Sequence, residues 1–326
     1  MTDLLVTTLD DGVATLTLNR PSAINSLNLE MLQAASEILT SWAHDDSVRE
    51  VVLRGEGARG FSAGADVREL SQAISGNGSW LRFLEVEYLL DLIVAQFPKH
   101  VTAHLNGITM GGGLGLTVNA DRRIVDSSTL MAMPETKIGF FPDAGVMYWL
   151  ARAGALGTHM ALTSGTIGGG DALRINLADE SSDGDLPAPL SEAAWIQECY
   201  IGDDAVEIAH RLEEHPDPAA QQAGRELRAR SPFSVHVALR ALRRAATLDL
   251  NGVLHQDLRL AEHMIPVDFV EGVRALLIDK DNQPAWRYAT LEDVPAQVID
   301  QRVGRASVIQ EAVNNRLPDL YRDALS

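Results

Sequence analysis

The chain of 326 residues contains one cysteine, Cys199, so no disulfide can close within it. The neighbours of Cys199 in sequence form no metal or nucleophile pattern, and it reads as an ordinary helical residue. Lysine is almost as scarce: Lys99, Lys137 and Lys280 stand against 24 arginines, a skew that GC-rich coding explains without any function. No apolar run approaches the ~18 residues that a membrane span needs. The first residues, MTDLLVTTLDDG, lack the basic region and apolar run of a signal peptide. Together these absences predict a cytoplasmic protein. A net charge of −18 argues against nucleic acid or an anionic membrane as partner, because like charges repel at long range. A few arginines gathered locally would still admit a phosphate-bearing ligand.

Several catalytic signatures are also missing. There is no GxSxG, so a hydrolase serine on a strand–helix elbow is not expected, and no GxxxxGK[ST], which excludes a P-loop. The glycines at 111–115 follow a predicted strand, but GGGLG lacks the spacing of a dinucleotide fold and the acid that would hold a ribose. His100 and His104 are four apart in a predicted strand, where they do not converge on a metal as they would on a helix. Asp279, Asp281 and Gln283 begin like a calcium loop, yet Pro284 stands where that loop needs glycine and Thr290 where it needs glutamate. No metal site is expected.

What is present is the composition of a globular protein, 46% apolar and 22% charged. Leu4 to Leu9 and Val13 to Leu18 read as strands joined by a turn at Asp10-Asp11-Gly12. Asn28 is placed to cap a helix with apolar positions at Leu29, Leu32, Ile38 and Leu39. Val51 to Leu53, Val101 to Leu105 and Arg123 to Val125 read as strands. Helices are predicted from near Val67, from Leu81 to Phe97, and from the triple glycine to about Val118. This alternation is the rhythm of an α/β domain. Beyond Ala151 the strand signal fades. Residues 181–191 and 213–220 read as exposed loops, and Val235 to Ala246 and Phe269 to Ile278 as helices. The reading divides the chain into a catalytic core, residues 1–212, and a helical region, residues 213–326.

The informative stretch is HLNGITMGGGLGLTVNADRRIVDSSTLMAMPETKIGFFPDAG, His104 to Gly145. Three glycines, Gly111 to Gly113, open an apolar run, and two acids, Glu135 and Asp143, each follow a proline. A second small-residue segment, FSAGADVREL at 61–70, also leads into a helix. Two such helix entries, each after a strand, offer one N–H apiece to a carbonyl oxygen becoming an oxyanion. Losing one such donor typically costs about 2.7–4 kcal/mol of barrier. Taken separately, Gly64 fits a tight turn and the triple glycine fits close helix packing. Glu135 alone fits a first-turn acid that favours the helix dipole, and Asp143 a turn acid.

FSAGADVREL followed by NGITMGGGLGL resembles the crotonase (enoyl-CoA hydratase/isomerase) superfamily. The resemblance implies a crotonase-like ββα spiral core with a C-terminal helical region, and an acyl-CoA thioester as substrate. It places the oxyanion-binding N–H groups at Ala65 and Gly112, with Ala63, Gly64, Asp66 and Gly111 beside the substrate. Enoyl-CoA hydratases carry a glutamate two residues after the triple glycine, and Gly115 stands there in this chain. GITMGGG, AMPET, IG and FPD, with SPFSVHVALRALRR and DFVEGVRALLIDKDNQPAWRYATLEDV, are instead similar to the 3-hydroxyisobutyryl-CoA hydrolase branch. That branch implies contacts to substrate from Glu135, Asp143 and the acid before a tyrosine, Glu87. After Asp143 it usually runs through several glycines, where this chain has Ala144-Gly145-Val146-Met147.

The implied activity is hydrolysis of a short 3-hydroxyacyl-CoA in valine catabolism, the alternative being a hydratase or isomerase of the same superfamily. Arg20 and Arg54 are candidates for the CoA phosphates. No cofactor is expected beyond the CoA that the substrate carries. Relatives suggest a homo-oligomer, a trimer or a hexamer.

Overall fold

The computed structural model describes residues 3–75 and 80–303. It begins with an antiparallel hairpin of β1, Leu5–Asp10, and β2, Val13–Leu18, turned where Asp11 and Gly12 take φ of 42° and 78°. Positive φ at both central residues is what a tightly twisted two-residue hairpin requires. In β2 the small and aliphatic residues Ala14, Leu16 and Leu18 face the core, as period-2 alternation dictates. β3, Glu50–Gly55, pairs parallel with β2, and β4, His100–His104, pairs parallel with β3.

From there the chain alternates between two sheets. β5, Ile108–Met110, leaves the first sheet and β6, Arg122–Val125, returns to it beside β4. β7, Leu130–Ala132, and β8, Ile167–Gly168, join β5 in a three-stranded sheet. β9, Glu180–Ser181, closes the large one, whose order is β1-β2-β3-β4-β6-β9. Strands of two or three residues are too short to show a period, so β5, β7, β8 and β9 leave no pattern in the sequence.

Four helices belong to this part: α1, Leu29–Ala43, α2, Val67–Ser75, α3, Trp80–Ala95, and α4, Gly112–Val118. The Asn28 side chain caps α1 by accepting the Met31 N–H at 2.9 Å. α3 is buried on every side from Phe83 to Val94, and three of those residues are acids: Glu85, Glu87 and Asp91. Acids inside a fully buried helix cost free energy unless they are paired or neutral.

Shorter helices follow: α5, Met147–Leu150, α6, Gly154–Thr163, α7, Gly169–Arg174, and α8, Ala194–Cys199. Cys199 is buried at the end of α8, the helical place expected for it. Then come α9, Ala205–Glu214, α10, Pro218–Arg228, α11, Pro232–Ala245, and α12, Leu250–Met264. The expected loop at 213–220 is mostly helix. α9 runs through Glu214, and Asp217 caps α10 with Pro218 in its first turn, where a missing N–H costs nothing. The segment 181–191 is largely a loop, pinned where Asp171 accepts the N–H groups of Leu190 and Ser191 at 2.9 and 2.8 Å.

Residue 212 lies inside α9, so the two expected regions share a helix. α12 continues as one rod through wider, π-helical turns at Ile265–Phe269 and Arg274–Ile278. This rod packs against α3, α2 and the turn that carries Glu135, so the helical region lies on the site rather than apart from it. The expected helix Phe269 to Ile278 is its end. Residues 304–326 of the expected helical region lie outside the described residues.

Candidate active site

Two loops are laid side by side by short β-bridges, Gly60 to Gly107 and Ser62 to Thr109. The Met110 N–H reinforces them by donating to the Ser62 carbonyl at 3.0 Å. Gly64 sits where they touch, at φ 91°, and a Cβ on it would stand 2.7 Å from the Met110 oxygen and 3.0 Å from the Gly112 nitrogen. Only glycine fits that contact. The result is that the Ala65 and Gly112 N–H groups face one space. The Ala65 nitrogen lies 3.5 Å from the point where a Gly112 Cβ would be. Among the described residues neither N–H has a hydrogen-bond partner. Both line a cavity of about 640 Å³, together with Ala63, Gly64, Glu135 and Asp143.

Glu135 opens a 3-10 turn after Pro134, and Asp143 follows Pro142 on the next turn. Both are buried. Among the described residues the Glu135 Oε2 has no partner. Burial and then the Asp143 carboxylate push the Glu135 carboxyl well above the usual range. Burial raises Asp143 to about 6, against the opposing pull of Tyr88, whose hydroxyl donates to Asp143 Oδ2 at 2.6 Å. Glu87, next to Tyr88 on α3, lies behind the glycines: a Cβ on Gly112 would overlap its Oε1. Its carboxyl too is pushed well up by burial and then by Asp143.

Two further acids stand behind these, and sequence reasoning missed both. Asp91 is one turn beyond Glu87 on α3, and Asp257 comes from α12. Burial raises both, Asp91 next through Glu87 and Asp257 next through Asp143. No cation figures in any of these five environments, so Glu87, Asp91, Glu135 and Asp257 are held toward the neutral acid, while Asp143, raised only to about 6, is the one whose charge the others feel. Among the described residues no set of His, Cys, Asp or Glu is arranged to hold a metal ion. The i,i+4 spacing of Glu87 and Asp91 was the available signal for Asp91. Nothing local could have announced Asp257.

The turn after Asp143 decides a second feature. A Cβ on Gly115 would stand 2.5 Å from the Ala144 Cβ and 3.0 Å from its carbonyl oxygen. The place beside Gly115 is therefore filled by the chain itself, and no side chain can point from it into the cavity.

The cations divide. Arg20 lines the cavity, tied to Asp66 at 2.9 Å and donating to the Ser26 carbonyl at 2.7 Å. Asp66 thus orients Arg20 at the rim. Arg54 does not belong to the site: it projects from β3 to stand 3.2 Å from His104 Nε2 and lines no part of the cavity. Adjacent positions on a strand face opposite ways, and the spacing of Arg54 from the glycine loop could not show this. Arg68 and Lys137 line the cavity instead. Lys137 is half-buried, and burial lowers its pKa. Its scarcity and its place two residues after Glu135 were the signal for it.

Unpartnered N–H groups over a buried set of acids define an enzyme that works on an acyl carbonyl. The chain belongs to the enoyl-CoA hydratase/isomerase family, the crotonase superfamily, whose family model matches residues 13–185 and 179–303. It is 32% identical to the mitochondrial 3-hydroxyisobutyryl-CoA hydrolase of Gallus gallus, over 89% of this chain and 86% of that one. It is 31% identical to 3-hydroxyisobutyryl-CoA hydrolase 1 of Arabidopsis thaliana, over 95% and 94%. Among solved structures, a carnitinyl-CoA dehydratase from Mycobacterium thermoresistibile superposes with a TM-score of 0.88 at 36% identity, covering 94% of this chain and 98% of that one. An enoyl-CoA hydratase from Rhodobacter sphaeroides 2.4.1 follows with 0.86 at 31%, over the same shares. These neighbours bear out the crotonase fold. The Gallus gallus, Danio rerio and Homo sapiens relatives are named as mitochondrial, which overturns the expectation of a cytoplasmic protein. Cysteine usage and charge do not distinguish one reducing compartment from another. Among the described residues no helix is long and apolar enough to cross a membrane.

Two stability predictions follow from the packing. Gly115→Ala should destabilise the protein by about 1–3 kcal/mol in urea unfolding, the cost of overpacking, although the same change in an open helix stabilises by about 1 kcal/mol. Asp91 has a folded-state pKa above its unfolded one, so its contribution to stability is present at low pH and lost as pH rises through the folded value. Asp91→Asn should therefore stabilise more at pH 8 than at pH 5, by on the order of 1 kcal/mol, in paired melts.

Proposed function

We propose that the protein hydrolyses 3-hydroxyisobutyryl-CoA, or a short 3-hydroxyacyl-CoA close to it, to the free acid and CoA, as a step of valine catabolism. The filled space at Gly115 carries the reading. A hydratase of the two-glutamate kind needs an acid there, and the turn after Asp143 occupies the place. The names of the Gallus gallus and Arabidopsis thaliana relatives support it.

The thioester oxygen accepts hydrogen bonds from the Ala65 and Gly112 N–H groups, which stabilise it as charge develops. Glu135 supplies the electron pair, either directly to the carbonyl carbon or through a water whose proton it takes. The C–S bond breaks and CoA leaves as the thiol, its proton drawn from the neighbouring acids; where Glu135 has attacked directly, water then hydrolyses the mixed anhydride, releasing the free acid and restoring the Glu135 carboxylate. Asp143, held by Tyr88, orients the 3-hydroxyl or the water, and Glu87 supports the Gly112 side of the oxyanion site. Gly111 completes the cradle beside Glu135. Arg20, Arg68 and Lys137 at the rim meet the phosphates of CoA, which needs no cofactor beside it. The resemblance also carries a trimer or hexamer into the proposal, which sedimentation tests. The likeness to a carnitinyl-CoA dehydratase and an enoyl-CoA hydratase favours a second reading, a dehydratase or hydratase using Glu135 as lone base.

Release of free thiol from 3-hydroxyisobutyryl-CoA, followed with a thiol reagent, separates the two. Dominant hydration of crotonyl-CoA without thiol release would overturn the hydrolase. Glu135→Gln should abolish turnover while acyl-CoA binding stays measurable by calorimetry. Glu135 acts ionised, so the rate should fall as pH drops through its raised pKa, at higher pH than an ordinary glutamate. Asp143→Asn should lose at least about 100-fold in kcat, the scale of a lost general-catalytic contact. Its residual activity should keep an acidic limb moved to lower pH, because one charge that raises Glu135 is gone. An unmoved limb would show that the two acids do not interact.

A further inference from the structure

We infer that Asp257 is a positioning residue for Asp143: from α12 it holds the left-handed turn on which Asp143 is presented to the cavity. The inference rests on the role given to Asp143 above. Asp257 is fully buried, and its Oδ2 accepts the Gly145 N–H at 3.0 Å across 112 residues of sequence. The turn it holds is an unusual one. Ala144 and Gly145 both take positive φ, 54° and 71°, before the Val146 N–H donates back to the Asp143 carbonyl at 3.0 Å. A left-handed alanine is strained and persists only where its surroundings impose it.

Those surroundings are two helices. α4 presses on one side, where the bare face of Gly115 meets Ala144. α12 presses on the other, with Leu250 and Leu254 about 3 Å from where a Gly145 Cβ would stand. Helix packing alone presents apolar surface, and the Gly145 N–H in its midst needs an acceptor. Asp257 is that acceptor. Without it the buried N–H is left unpaired, a desolvation cost that turning the peptide over would relieve. The same motion would swing Asp143 away from Tyr88 and the cavity.

The cost of keeping Asp257 points the same way. Among the described residues its Oδ1 has no partner, and no cation stands near it. A well-packed aliphatic residue in such a place is often neutral or stabilising. An acid here is thus poorly explained by stability and well explained by the turn it fixes. Its carboxyl, raised by burial and then by Asp143, offers a carbonyl oxygen to Gly145 as the neutral acid. Asparagine offers the same oxygen at the same distance along the side chain; leucine and alanine offer none.

The test compares Asp257→Leu, Asp257→Asn and Asp143→Asn in the full chain, on whichever acyl-CoA turnover the wild-type protein shows. Asp257→Leu should lose on the order of 100-fold in kcat, the scale set by misplacing a catalytic group by about 1 Å. Its KM should stay within about 3-fold and its melting temperature should not fall in proportion to the lost activity. Asp257→Asn should recover kcat to within about 3-fold of wild type. Should the leucine variant fail to fold, Asp257→Ala takes its place in the same comparison. Wild-type kcat in the leucine or alanine variant, or an asparagine variant as impaired as either, would overturn the positioning role. Full turnover by Asp143→Asn would instead overturn the reading of Asp143 itself, a separate and distinguishable failure.

Discussion

A carboxylic acid buried without a cation has its pKa pushed up, and five such acids cluster in this protein, Glu135 and Asp143 lining the cavity and the other three standing behind them. Glu87 and Asp91 come from α3, Glu135 and Asp143 from two proline-led turns, and Asp257 from α12. The rest of the structure is arranged about that constraint. α3 is buried on every side from Phe83 to Val94, so its acids are packed within the protein. The glycines bring two N–H groups to the rim of the cluster, and those donors face the place where negative charge must develop. Each proton given up costs more than the last, because every carboxylate formed raises its neighbours. Such a set favours a reaction in which one group ionises while the others lend and take protons.

The second organising feature is a volume that only one of two things can occupy. Beside Gly115 there is room for a catalytic side chain or for the backbone of the turn at Ala144, and here the backbone is present. One glycine therefore does two jobs of opposite sense: it removes an acid that a hydratase would use, and it lets the turn bearing a different acid approach. In the proposed reading, the change of chemistry inside a shared fold comes from that exchange of volume. The identity of the fold, which the hydratase and dehydratase neighbours share, does not determine it.

The helical region is part of the site rather than an appendage. α12 supplies the acceptor for Gly145, and its continuation lines the cavity with Phe269, Leu276 and Leu277. The π-helical turns lie in that continuation, where an extra residue per turn re-aims side chains that a regular helix would point elsewhere. The Glu135 turn is gripped from the same side, since the Ser231 N–H donates to the Thr136 carbonyl at 3.1 Å and the Ser231 hydroxyl to Asp268 at 2.6 Å.

The sequence by itself determined what depends on local chemistry. Asn28 was placed to cap α1, Asp11-Gly12 to turn the first hairpin, and the glycines at 64 and 111–113, taken together, pointed to a close backbone approach. Glu135 and Asp143 were visible because prolines set them off, and Gly115 was visible as the absence of an acid. Short strands such as β5 and β7 were hidden, because three residues carry no period. Arg54 was misassigned to the site because spacing along the chain does not say which side of a sheet a residue faces. Glu213 to Ala220 resembled a loop in composition, yet Asp217 and Pro218 start a helix there. Asp91, Asp257, Arg68 and Lys137 were settled only by tertiary structure. Their relation to the site is a distance through space, across as many as 112 residues in the contact from Gly145 to Asp257, and no local propensity encodes it. The burial that raises the acids' proton affinity was decided there too, because that affinity depends on the elements packed against a carboxyl and not on its neighbours in the chain.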